Sequence, residues 1–131
     1  MEVKSTPHLV HRSAAELHAR LIDLSRLGSS LPPQVTRYQV NGDTCSFTIQ
    51  GMADISLYIS RKDPDHVTYS SLSDKPFPFH LHFWLSEEDE QTCALTVVFE
   101  GDLNPMLAMM ARGPLQNFVN LLAQKLSENR F

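Results

Sequence analysis

Residues 77–86 read Phe-Pro-Phe-His-Leu-His-Phe-Trp-Leu-Ser. Phe77, Phe79, Leu81, Phe83 and Leu85 alternate with Pro78, His80, His82, Trp84 and Ser86. Successive side chains of a strand point to opposite faces, so a period of two gathers the large apolar groups on one face. One apolar face and one polar face predict an antiparallel sheet packed on a core from one side.

The same period runs outward from this stretch. Upstream, Val35 to Val40 reads as a strand, and Asn41-Gly42-Asp43 is a turn signal. Cys45, Phe47 and Ile49 then alternate with Ser46, Thr48 and Gln50, until Gly51 breaks the run. Ile55, Leu57 and Ile59 alternate with Asp54, Ser56, Tyr58 and Ser60, and Asp63-Pro64-Asp65 turns the chain into Val67, Tyr69 and Ser71. Downstream, the acidic loop Glu87-Glu88-Asp89-Glu90 leads to Cys93, Leu95, Val97 and Phe99. Six strands in series with short connections imply a meander.

Helical signals flank this meander. Residues 2–12 read as a first strand, which Pro7 confines to an edge or a bulge. Ser13-Ala14-Ala15-Glu16 matches a capping box, in which the Glu reaches back to the Ser N–H. Leu17, Leu21 and Leu24 follow at helical spacing, predicting a helix over 14–25. A further helical turn over 25–31 ends at Pro32-Pro33. Asn104-Pro105 opens the last element, with Asn as N-cap and Pro in the first turn. Leu115, Phe118, Val119, Leu122 and Leu126 form an apolar stripe opposite Gln116, Asn117, Asn120 and Gln124, an amphipathic helix running to about residue 128.

The predicted fold class is therefore α+β: a curved seven-stranded antiparallel sheet around a long C-terminal helix, with one or two short helices after the first strand. The 131 residues form a single domain, 1–131. Leu, Ile, Val and Phe make up about 27% of the chain, enough for a core. A net charge of −4 with no basic run argues against nucleic acid as a partner. No apolar run reaches the length of a membrane span or has signal-peptide character, so a cytoplasmic protein with no integral membrane segment is expected. Cys45 and Cys93 read as small buried hydrophobes rather than a disulfide. No Cys-x-x-Cys, glycine-rich phosphate loop or Gly-x-Ser-x-Gly is present, and neither a cofactor nor a catalytic residue is expected.

A sheet of this width curls, and one helix cannot cover its whole concave face. The remaining space predicts a cavity, since apolar concavities are where small molecules bind. Its candidate lining is Phe47, Ile49, Ile55, Leu57, Tyr69, Phe79, Leu81, Phe83, Leu95, Val97 and Phe99 from the strands and Phe118 from the helix. A solid core built from the same residues is the competing reading.

The order of elements resembles the START/SRPBCC helix-grip superfamily, which includes the birch-pollen allergen. The resemblance covers nearly the whole chain. It rests on Ser13-Ala14-Ala15-Glu16 opening a short helix and on Leu31-Pro32-Pro33 before the second strand. It rests also on Ser46-Phe47-Thr48-Ile49-Gln50-Gly51 turning into Ile55-Ser56-Leu57, and on Asp102-Leu103-Asn104-Pro105-Met106 leading into the last helix. Membership would imply binding of hydrophobic small molecules such as lipids, sterols or polyketides. Some members are cyclases or hydrolases, and others are chaperone co-factors. Binding or transport of a hydrophobic ligand is the leading expectation. A cyclase or isomerase using the same pocket, with Tyr69 as a polar group, and a ligand-free interaction module are the alternatives.

Three features stand apart. Met106, Met109 and Met110 lie opposite the apolar stripe on a straight helix, but Gly113-Pro114 could kink it and swing Met109 and Met110 over the cavity entrance. Alternatively they form an exposed patch for a partner or a second copy. His80 and His82 share one face and could ligate a metal. That face is the outer one and no third ligand is evident, so they read as surface histidines and no metal is expected. Trp84 beside them could mark a contact surface, such as that of a homodimer. Asp54 and Glu100 also point outward, as solvated carboxylates.

Overall fold

The computed structural model describes residues 1–128. Two three-residue strands, β1 (Glu2–Lys4) and β2 (His8–Val10), precede α1 (Ala14–Leu21), α2 (Leu24–Leu27) and a 3₁₀ turn at Gly28–Ser30. The meander follows as β3 (Val35–Asn41), β4 (Thr44–Ile49), β5 (Ala53–Asp63), β6 (His66–Ser71), β7 (Phe79–Asp89) and β8 (Thr92–Gly101), and α3 (Pro105–Glu128) ends the described chain. The sheet is antiparallel, in the order β1-β8-β7-β6-β5-β4-β3, with β2 also paired to β8. This is the helix-grip arrangement expected from the sequence.

The expected first strand over 2–12 is split in two. Pro7 cannot donate to the ladder, and the register on β8 slips by one residue between Lys4↔Val98 and His8↔Leu95. Ser5 bridges the break. Its N–H donates to Val97 O at 2.8 Å, and its buried hydroxyl accepts from Val97 N–H at 2.9 Å. A side chain thus replaces the backbone partner that the irregular segment cannot supply.

The helix starts follow the sequence with one adjustment. Ser13 Oγ accepts from Glu16 N–H at 3.1 Å, while the Glu16 carboxylate accepts from the Ser13 hydroxyl at 3.3 Å instead of from its backbone. The helix expected over 14–25 breaks at Ile22–Asp23, because Asp23 caps a new turn by accepting from Ser25 N–H. Asn104 Oδ1 accepts from Leu107 N–H at 2.8 Å and starts α3 as expected.

Alternation sets the two sides of the sheet. Phe79, Leu81, Phe83 and Leu85 of β7 are buried against the helices, while His80, Trp84 and Ser86 are exposed. The Leu115–Phe118–Val119–Leu122–Leu126 stripe of α3 is buried, each side chain contributing about 1.5–3 kcal/mol. α3 packs on β8, β1, β2 and the 3₁₀ turn. It lies over one side of the sheet, and the concave surface of β4 and β5 is left to be covered mainly by side chains.

Candidate functional site

Between that uncovered surface and α3 lies an apolar slot. Its walls are Phe47 and Ile49 of β4, Met52 of the β4–β5 turn, Ile55 and Leu57 of β5, Phe79 and Leu81 of β7, Phe99 of β8, and Leu115 and Phe118 of α3. Gly51, at φ +79°, makes the tight turn that presents Met52 there, a conformation that favours glycine. Phe79 and Phe99 stack with centroids 5.7 Å apart, and Phe77 meets both edge-on. Phe47 and Ile49 keep 6% of their surface, against 0% for Phe83, Leu95 and Val97. No lining residue is ionisable or carries a hydroxyl.

The slot is narrow, at about 20 Å³, room for roughly one water molecule. The wide hollow expected from the sequence is therefore mostly filled. Aromatic side chains from facing strands and the helix interdigitate where a smooth trough would have left space.

Eight of the expected lining residues meet at the slot: Phe47, Ile49, Ile55, Leu57, Phe79, Leu81, Phe99 and Phe118. Tyr69, Phe83, Leu95 and Val97 point inward but lie in solid core. Tyr69 packs on Phe83 at 4.8 Å and donates its hydroxyl to Leu21 O at 2.5 Å. Burial raises its pKa well above the ordinary tyrosine value. Met109 and Met110 are not at the slot. α3 continues unbroken through Gly113-Pro114, leaving Met106, Met109 and Met110 at 75, 82 and 71% exposure. The proline and glycine are themselves exposed, so the bond that Pro114 cannot make is lost on the solvent side. Alternation alone does not place Met52 or Leu115 in the lining. Leu115 belongs to the apolar stripe, and the turn glycine before Met52 is the signal that could have pointed to it.

The opposite face carries a second cluster. His66 Nε2 and His82 Nδ1 lie 2.8 Å apart, and Thr68 Oγ1 is 3.0 Å from each. Ser70 Oγ lies 2.6 Å from both His80 Nδ1 and Ser60 Oγ. Trp84, half-exposed, stacks on the His66 ring at 3.6 Å. Burial lowers the pKa of His66 and of His82. The adjacent His82 lowers that of His66 further, while Glu100 opposes the shift at His82. His82 Nε2 is 3.8 Å from Glu100 Oε1, and a shallow hollow of about 310 Å³ spans the cluster. Asp54 points outward as expected and accepts from the Thr48 hydroxyl at 2.7 Å.

No protein-family model and no curated protein matches the chain. Solved structures do. A protein from Thermus thermophilus superposes with a TM-score of 0.74 at 16% identity, over 98% of this chain and 95% of its own. A Thermobifida fusca protein gives 0.67 at 16% identity over 99% and 97%. Norcoclaurine synthase from Thalictrum flavum, solved in complex with dopamine and hydroxybenzaldehyde, gives 0.70 at 11% identity over 100% and 88%. At these identities the likeness is one of fold, and it is the birch-pollen-allergen-like fold that the sequence resembles.

Proposed function

We propose that this protein binds a small, uncharged, apolar molecule in the slot between β4, β5, β7, β8 and α3, and that the slot widens to admit it. The observation that carries this reading is the lining: ten apolar side chains where sheet and helix face each other. A ligand there gains about 25 cal/mol for each Å² of apolar surface buried. A charged group would lose its hydration with no partner in return. Widening draws on the phenyl rings and the flexible thioether of Met52, which is only partly buried. The complex of the similarly folded norcoclaurine synthase with two small aromatic molecules supports a ligand of that size.

The same lining favours binding over catalysis, because it offers no acid, base or nucleophile. Tyr69, the residue a cyclase or isomerase reading would use, already donates its hydroxyl hydrogen bond to a backbone carbonyl. A pure interaction role through Trp84 is less favoured, since that ring is stacked on His66.

The test is titration with an uncharged environment-sensitive fluorophore such as N-phenyl-1-naphthylamine. The expected result is a saturable rise in emission at one probe per chain, tighter in Phe99→Leu and lost in Ile49→Phe, which fills the slot. No saturable binding, or equal binding in all three proteins, would refute the proposal.

A further inference from the structure

The outer face of β6 and β7 holds three donor atoms arranged as neighbours in a coordination shell. His66 Nε2, His82 Nδ1 and Thr68 Oγ1 form a triangle with sides of 2.8, 3.0 and 3.0 Å. An ion at about 2.1 Å from each of two ligands sets them about 3.0 Å apart at a right angle and about 3.4 Å apart in a tetrahedron. We propose that His66 and His82, aided by the Thr68 hydroxyl, bind a divalent first-row transition ion, Ni²⁺, Cu²⁺ or Zn²⁺.

The register explains the convergence. Thr68 pairs directly with His82, and His66 with Trp84, so all four side chains stand on the same face. Trp84 stacks on the face of the His66 ring and restricts its rotation. Glu100 stands 3.8 Å from His82 Nε2. A carboxylate there favours the tautomer protonated at Nε2, which frees Nδ1 as a ligand, the usual outer arrangement around a metal-bound histidine. With both rings neutral and His82 protonated on Nε2, the hydrogen between them sits on His66 Nε2. As the ion takes its place, that proton leaves to solvent and His66 takes one up on Nδ1, so no net proton is released.

Among the described residues no three His, Cys, Asp or Glu side chains converge on one point. The shell is thus two imidazoles and a hydroxyl, completed by water from the hollow above. Imidazole pairs suit nickel, copper and zinc better than magnesium or calcium. This differs from the surface-histidine reading of the sequence, and it is independent of the slot, which lies on the other side of the sheet.

Trp84 is the only tryptophan in the chain and so reports on the site. Untagged, chelator-washed protein is titrated with Ni²⁺ while Trp84 emission is followed, with Zn²⁺ as competitor. Saturable quenching at one ion per chain is expected, reversed by Zn²⁺ and by chelator. His82→Gln and His66→Gln, each checked for folding by its thermal transition, should abolish it. Glu100→Gln should weaken it about tenfold. His80→Ala should bind as the parent does, because Ser70, not the triangle, holds the His80 ring. Absence of saturable quenching, its persistence in either Gln variant, or its loss in His80→Ala would overturn the proposal.

Discussion

Tyr69 shows how one hydroxyl separates a structural role from a chemical one. It is 1% exposed, and its bond to Leu21 O ties the sheet to the end of α1. Tyr69→Phe leaves that carbonyl without its partner, at a cost of about 1–3 kcal/mol. The expected outcome is a lower urea midpoint with unchanged probe binding; loss of binding with unchanged stability would give Tyr69 a role in the slot. The two cysteines make a second prediction at this scale. Burial raises the Cys45 thiol to about 11 and pushes Cys93 up as well, and both thiols are free. The thiolate is the reactive species. At pH 8 a thiol reagent should therefore label neither until the chain unfolds, when both react. Rapid labelling of the native protein would contradict the burial described above.

Among the elements, α3 carries the clearest prediction. Gly113 lies mid-helix, exposed, and an added Cβ would meet no other part of the protein within 4 Å, but Pro114 follows it directly. Alanine loses less backbone freedom on folding, a gain of about 0.5–1 kcal/mol, but the Pro114 ring crowds the Cβ of a helical residue before it, so Gly113→Ala should leave the protein no more stable. Thermal unfolding checks this, and a higher melting temperature would mean that the Pro114 ring leaves room for the side chain. The six strands of the meander and the α3 stripe were legible in the sequence because each repeats one period over many residues. What was not legible depends on pairing. Nothing local to residues 2–12 specifies that Ser5 reaches Val97 across the sheet and divides the strand. His66 is a similar case. The inward run Val67, Tyr69 and Ser71 puts it on the outer face, but only the β6–β7 register brings it to His82. Of the site, seven of the eight slot residues follow from alternation and Phe118 from the helical stripe, whereas the exposure of Met109 and Met110 turned on whether α3 bends at Pro114, which spacing alone could not decide.

At the scale of the whole molecule, the sheet grips a helix that lies mainly over β8, β1 and β2, and aromatic side chains close the remaining side to a slot of about 20 Å³. A closed apolar slot is a binding site only if it opens at modest cost. Its partial exposure at Phe47 and Ile49, and the flexible Met52 beside them, give it a place to open. The most direct test is methyl NMR of Ile, Leu and Val groups during titration with naphthalene, a neutral probe without hydrogen-bonding groups. The account predicts saturable shifts centred on Ile49, Ile55, Leu57, Leu81 and Leu115, with Leu17 and Val10 unmoved. Shifts confined to surface methyls such as Leu9 and Leu72, or no saturable shift, would contradict it.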